Sequence, residues 1–131
     1  MILDTVALVR LLEGTLDAGT VADLEAAETL AVGAVSFFEI NQKVRIGKLG
    51  LPAFGPDRIA AIAARGIAVL SADGTVMARA AAMTWHHNGR DHRDPFDRIV
   101  AATALERGLP VVTSDAAFAD LAAAGLVLRP I

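Results

Sequence analysis

The sequence predicts an α/β fold in which helices cover both faces of a mostly parallel sheet, and three observations lead to this class. Short apolar segments of β type alternate with longer segments of helical spacing. Glycine and proline stand at the boundaries between these segments. Hydrophobic residues make up 54% of the 131 residues, enough for a substantial core. Since strands that alternate with helices form parallel sheets, and no internal repeat is visible, we expect one domain over residues 1–131.

The first half of the chain contains a brief strand, three helical segments and one ambiguous segment. ILD at 2–4 is a brief strand, and helices are expected at about 5–13 and 18–28. LAVGAVS at 30–36 fits either a strand or the start of a buried helix, because a short apolar run does not separate the two. SFFEINQKVRIG at 36–47 has helical spacing and stops at a glycine.

The second half continues the alternation after the turn-rich segment GLPAFGP. The expected elements, in order, are a helix at 57–65, a strand at 67–71, a helix at 73–84, a loop at HHNGRDHR, a helix at about 95–107, the strand PVVTS, a short helix at 115–123 and a strand near 126–129. Ligands of such sheets bind beyond the carboxyl ends of the strands, so the residues that follow each strand are the first candidates for a site.

Composition and charge exclude several classes of protein. The longest apolar run, at 30–38, ends at Glu39 and is far shorter than the ~18–20 residues of a membrane span. The N-terminus MILD lacks the basic and apolar regions of a secretory signal. The chain has no cysteine, which excludes disulfides and thiolate metal sites and agrees with a cytoplasmic location. The net charge of −3 argues against a generally basic nucleic-acid surface but leaves a local one open.

Two aspartates follow predicted strands. Asp4 ends the first strand, and Asp115 ends the strand PVVTS, so both are expected at the same edge of the sheet. Each also precedes a predicted helix, where aspartate is a favoured N-cap. Taken singly, each aspartate is explained well by capping.

Glu39 lies inside an apolar segment, between Phe38 and Ile40. Its side chain either turns out to solvent or points inward. In the second case its charge needs a partner or a metal ion, because an unpaired buried carboxylate is very costly.

The segment HRDPFDR at 92–98 carries two more aspartates. Asp94 followed by Pro95 is typical of an N-cap and first helical residue. At about 100° per residue, Asp97 falls within the apolar arc of the following helix, between Val100 and Ala101. Capping does not require that orientation, whereas a buried metal site does. The helix also leads directly into the strand that ends at Asp115.

Acids that converge from distant parts of the chain repel one another unless cations neutralise them. Oxygen-only ligand sets suit Mg²⁺ or Mn²⁺, which acidify bound water and stabilise charge on phosphate. The residues by themselves therefore point to a metal-dependent phosphoryl-transfer or phosphodiester-hydrolysing site.

Four segments in this order and spacing resemble the PIN-domain ribonuclease toxins of the VapC type, from type II toxin–antitoxin systems. They are MILDT at the start, SFFEI with GKL at 36–49, HRDPFDRIVAATAL at 92–105 and LPVVTSD at 109–115. The resemblance runs nearly end to end. It implies a PIN-like α/β/α sandwich, a Mg²⁺- or Mn²⁺-dependent endoribonuclease activity, an RNA substrate, a cognate antitoxin, a homodimer and no membrane association.

The resemblance also assigns site residues. The catalytic and metal-binding acids of the family match Asp4, Glu39, Asp97 and Asp115. Asp94 matches an extra acid of the HRDPFDR variant and ranks below Asp97, because capping explains it. Val6 departs from the family, in which histidine or asparagine often stands there; the departure leaves the acids untouched.

The sequence also bears on two alternative functions and contains one basic segment. A response-regulator receiver would require paired acids after the first strand and a lysine at the end of a late strand, and this chain has neither. A non-catalytic PIN-like module that binds RNA or protein stays open. Lys43, Arg45 and Lys48 form either a solvated helix face or a patch that follows the RNA backbone.

Overall fold

A computed structural model describes residues 1–131 and contains seven strands. They are β1 (Ile2–Leu3), β2 (Leu30–Gly33), β3 (Ile67–Leu70), β4 (His86–His87), β5 (Arg90–Asp91), β6 (Val111–Thr113) and β7 (Leu128–Pro130). Five of them form one parallel sheet in the order β3-β2-β1-β6-β7, while β4 and β5 form a separate antiparallel hairpin. The short strand β1 is central, with Leu3 opposite Val32 on one side and Val112 on the other.

Six α-helices and one 3₁₀ helix connect these strands. They are α1 (Thr5–Glu13), α2 (Ala18–Glu25), α3 (Ala34–Arg45), α4 (Pro56–Ala64), α5 (Gly74–Ala82), α6 (Pro95–Arg107) and the 3₁₀ helix Ala116–Ala124. The predicted α/β fold with a parallel central sheet is therefore confirmed. No helix has both the length and the apolar character that crossing a membrane requires.

The core lies on both sides of the sheet because successive strand residues point to opposite faces. Leu3, Val32 and Val112 belong to one apolar cluster with α1 and α3. Ile2 and Val111 belong to another, with α6 and the 3₁₀ helix. Strands buried on both faces read as continuous apolar runs, which is why these short segments showed no alternation in the sequence.

The structure decides the ambiguous segment and corrects two expectations about local conformation. The ambiguous segment 30–36 divides at Gly33 into β2 and the start of α3. The HHNGRDHR loop contains the β4–β5 hairpin, in which Asn88 and Gly89 both have positive φ, as hairpin turns favour for an Asn-Gly pair. The short helix predicted at 115–123 is present as the 3₁₀ helix Ala116–Ala124, and the last strand starts at Leu128 rather than 126.

Candidate functional site

Asp4 and Asp115 lie at the same edge of the sheet. β1 and β6 are parallel neighbours, with Leu3 opposite Val112, and each aspartate comes shortly after its strand ends. Glu39 reaches this edge from α3, which follows β2 on the other side of β1. Asp97 reaches it from the first turn of α6, the helix that precedes β6. We call this edge, with its four carboxylates, the acid rim.

Asp4 is the most deeply buried aspartate of the acid rim, with 4% of its surface exposed. Its Oδ1 accepts a 2.6 Å hydrogen bond from the backbone N–H of Ala7, so it is the N-cap of α1. Burial raises the pKa of Asp4, and the charges of Glu39 and Asp115 raise it further, against hydrogen bonds from Ala7 and Thr113. The cap therefore holds a carboxylate in a place where other acids disfavour its charge.

Glu39 points inward and is buried. Its Oε2 accepts a hydrogen bond from the Thr5 hydroxyl, and its Oε1 lies 2.6 Å from Lys43 Nζ, one turn further along α3. The Thr5 and Ser36 hydroxyl oxygens are 3.1 Å apart, and both residues are buried. Since a hydroxyl has one proton, Thr5 donates to Glu39 and can accept from Ser36. Both oxygens of Glu39 are thus engaged within the chain.

Asp97 is held by His92. The Nε2 atom of His92 lies 2.9 Å from Asp97 Oδ2, and its ring stacks on Trp85 with 4.1 Å between ring centroids. Burial raises the pKa of Asp97 to about 6; His92 lowers it, and the charges of Asp94 and Asp115 raise it. These effects show that Asp97 and Asp115 act on each other electrostatically, although the two residues belong to different elements.

Asp94 and Asp115 both cap helices. Asp94 is exposed, and its Oδ1 accepts hydrogen bonds of 2.8 and 3.2 Å from the N–H groups of Phe96 and Asp97. Asp115 Oδ1 accepts a 2.8 Å hydrogen bond from Ala117 N. The capping interpretation is therefore correct for Asp4, Asp94 and Asp115 alike. A cap and a site residue are compatible, because the cap occupies one carboxylate oxygen.

The acid rim suits a hard cation in its chemistry but is not a preformed cage. As the side chains lie, no group of three or more acids or histidines is close enough together to hold a metal ion. Lys43, Thr5 and His92 occupy carboxylate oxygens instead. The donors are nevertheless all carboxylates, as Mg²⁺ and Mn²⁺ prefer. Their mutual repulsion, visible at Asp4 and Asp97, is of the kind that a bound cation relieves.

The largest cavity, about 850 Å³, lies elsewhere. It is lined by Leu30, Ile67 and Arg65, near the amino ends of β2 and β3 and therefore at the opposite end of the sheet. Size alone would make it the candidate site, but parallel sheets bind ligands beyond the carboxyl ends of their strands. The acid rim, with its perturbed carboxyl groups, is the better candidate.

Comparison with known proteins decides the family. The model of the PIN domain matches residues 1–124. The chain belongs to the PIN domain family. No curated protein matches its sequence significantly.

Solved structures share the fold of this PIN domain. A toxin–antitoxin complex from Klebsiella pneumoniae has a TM-score of 0.59 at 17% identity, covering 92% of this chain and 89% of that one. VapBC2 from Rickettsia felis, bound to a DNA fragment from its promoter, has a TM-score of 0.67 at 14% identity, covering 98% and 96%. FitAB bound to an IR36 DNA fragment has a TM-score of 0.56 at 19% identity, covering 98% and 93%.

Sequence reasoning missed the polar residues that hold the acids of this PIN domain. Ser36 stands three residues before Glu39, and Lys43 stands four after it, so both spacings place the side chains near Glu39 on one helix. Thr5 directly follows Asp4 and comes from another element, which no local spacing reveals. His92 lies in the segment before α6, and its hydrogen bond to Asp97 depends on the path of the chain there, which no local spacing reveals.

The raised pKa of Asp97 predicts how the stability of this PIN domain depends on pH without metal. The folded state binds the Asp97 proton more tightly than the unfolded state, because its pKa is about 6 instead of 3.8. The resulting stabilisation is complete below about pH 4 and is lost as the pH rises through about 6. In EDTA, the free energy of unfolding of the wild type minus that of Asp97→Asn should fall between pH 4.5 and 7. Urea denaturation measures this difference, and a constant value would contradict the prediction.

Proposed function

We propose that this PIN domain is a Mg²⁺-dependent endoribonuclease of the VapC type, the toxin of a type II toxin–antitoxin pair. The observation that carries the proposal is the convergence of four acids from different elements on one edge of the parallel sheet. Burial, together with the charges of neighbouring acids, raises the pKa of Asp4 and of Asp97 there. Such an arrangement disfavours the folded, fully ionised state, and clusters of this kind are found where function requires them.

Asp4, Glu39, Asp97 and Asp115 are the residues that would hold the metal, with Asp94 as a further candidate. When bound, Mg²⁺ or Mn²⁺ would acidify water and stabilise negative charge on the phosphate. Both ions retain several waters and need only a few carboxylate ligands, which suits a rim that is not a closed cage.

The chain's own residues orient the acids. His92 binds Oδ2 of Asp97, and no hydrogen bond engages Oδ1, which leaves that oxygen available to the site. Thr5 fixes Glu39 from the side of α1, so the acid is oriented by an element other than its own helix. Orientation of this kind keeps reacting groups in place and contributes directly to rate.

A protein partner is part of the proposal. The structures that share this fold include a toxin–antitoxin complex and VapBC2. We propose that a cognate antitoxin binds this chain and that the chain forms a homodimer. Exposed apolar side chains at Val6, Phe38, Ile46, Met77 and Val127 offer surface for such contacts.

Incubation of the purified chain, freed of any antitoxin by denaturation and refolding, with mixed RNA tests the activity. We expect cleavage in Mg²⁺ and in Mn²⁺, none in EDTA, and a loss of about 10²–10³-fold for Asp97→Asn, because a metal ligand supplies several kcal/mol of transition-state stabilisation. Asp57→Asn is the matched control, since Asp57 is also an acid in the first turn of a helix that begins with proline. It should cleave like the wild type.

Two outcomes would contradict the proposed metal-dependent ribonuclease activity. Cleavage that survives both EDTA and Asp97→Asn would exclude the metal mechanism. If the refolded chain cleaves no RNA under any condition, the alternative is a non-catalytic PIN-like module that binds RNA or protein. The ion pair between Glu39 and Lys43 favours that alternative, because it neutralises one of the four acids within the chain.

A further inference from the structure

An open cleft of about 320 Å³ adjoins the acid rim on the side of α1 and α3. Its six lining residues are Thr5, Val6, Val9, Lys43, Lys48 and Leu49. Two of these lining residues, Thr5 and Lys43, also contact the acid rim, because they hold Glu39. A ligand in this cleft would therefore lie directly beside the site at which we propose that RNA is cut.

The charge of the cleft is opposite to that of the whole chain. Lys43 and Lys48 are the only two lysines in the sequence, and both line this one cleft. The net charge of the chain is −3, yet residues 39–48 contain three basic side chains and a single acid, Glu39, which pairs with Lys43. A local concentration of positive charge on an acidic protein favours an anionic ligand at that place.

The ammonium groups of Lys43 and Lys48 have N–H donors that no other residue of the chain uses. Lys48 is exposed, and its ammonium group takes part in no salt bridge or hydrogen bond, whereas its backbone N–H donates to the carbonyl of Lys43 at 2.8 Å. An ammonium group has three donors, and Lys43 uses one on Glu39 Oε1. The pair can therefore bind an anion without giving up the contact that orients Glu39.

The remaining walls favour a nucleotide unit over a free inorganic ion. Val6 is 45% exposed although it is apolar, and Val9 and Leu49 lie beside it. A phosphate bound by two lysines against an apolar wall leaves room for the attached sugar and base to cover that wall. The volume lies within the ~300–1,000 Å³ range of ligand pockets.

We propose that the cleft binds a backbone phosphate of the RNA substrate next to the phosphate that is cleaved, with Lys43 and Lys48 as its ligands. This inference rests on the proposed ribonuclease function. It assigns a binding role to Lys48 and a second role to Lys43, which also holds Glu39.

Binding of an uncleavable RNA tests the cleft separately from the activity. A fluorescent single-stranded 2′-O-methyl oligoribonucleotide is titrated with the full chain in EDTA at several salt concentrations. Lys43→Met and Lys48→Met should each weaken binding at low salt by about fivefold and reduce the slope of log affinity against log salt by about 0.7, the value per phosphate contact for single strands. Lys48→Arg should restore binding, because it keeps the charge.

Arg65→Met is the matched control, because Arg65 is an exposed basic residue at the opposite end of the sheet. It should bind the oligonucleotide like the wild type, and thermal unfolding checks that all variants are folded. The proposal is overturned if Lys43→Met and Lys48→Met keep the wild-type affinity and slope. It is also overturned if Arg65→Met weakens binding equally, or if the lysine variants lose only the binding of an acidic peptide such as polyglutamate. Lysine-dependent binding by a chain that cuts no RNA would contradict the proposed activity and leave the cleft assigned.

Discussion

Asp4→Asn is expected to lower RNA cleavage by about 10²–10³-fold while leaving the fold intact. Asparagine caps helices about as well as aspartate, so the hydrogen bond to Ala7 is retained. The substitution removes only the negative charge at the centre of the acid rim. A lost metal ligand is worth several kcal/mol in the transition state, which corresponds to this change in rate. Cleavage of a labelled RNA under single-turnover conditions measures it.

Asp17→Asn provides the matched control for Asp4→Asn. Asp17 caps α2 in the same way, through a 2.9 Å hydrogen bond from Thr20 N, but it is exposed and no part of the acid rim. We expect this variant to cleave RNA at the wild-type rate. Equal activity of Asp4→Asn and the wild type would show that Asp4 is only a helix cap. Circular dichroism and thermal unfolding of both variants exclude misfolding as the cause of a loss.

Trp85→Ala should destabilise the protein by about 3–5 kcal/mol, the usual cost of truncating a buried tryptophan. Trp85 is 1% exposed, and its ring makes an edge contact with Phe118 at 5.1 Å and stacks on His92. Its indole N–H donates to the carbonyl of Ala117 at 2.9 Å, and its own carbonyl accepts from the N–H of His92. A loss of this size is a large part of the ~5–15 kcal/mol that stabilises a typical domain.

Trp85→Phe separates ring packing from hydrogen bonding. It keeps most of the buried aromatic surface and removes the indole N–H that donates to the carbonyl of Ala117, so we expect a loss of about 1–3 kcal/mol. Phe38→Ala is the control for aromatic truncation at the surface, because Phe38 is 58% exposed; it should cost less than about 1 kcal/mol. Chemical denaturation measures all three. A loss for Trp85→Ala no larger than that for Phe38→Ala would contradict the assigned packing.

The sequence predicted the fold because its signals are local. The boundaries of α6 follow from Asp94-Pro95 at its start and from Gly108, whose φ of 61° ends the helix at its other end. The hairpin within HHNGRDHR was missed, although Asn-Gly is a hairpin signal, because two-residue strands are too short to show a period. The sequence predicts a short helix at 115–123 but not that it is a 3₁₀ helix, since an alanine-rich segment favours helix without specifying its winding.

The sequence by itself determined the alternation of strands and helices, and with it the edge at which Asp4 and Asp115 lie, since parallel strands end at a common edge. Only the tertiary structure decided which way the other acids point and what holds them. Glu39 turns inward because Thr5, from another helix, gives its carboxylate a hydrogen bond there. The charge of Asp115 raises the pKa of Asp97 because α6 and the end of β6 meet at the acid rim. Contacts between elements leave no periodic trace in a single sequence, and for that reason the orientation of these carboxylates had to come from the folded chain.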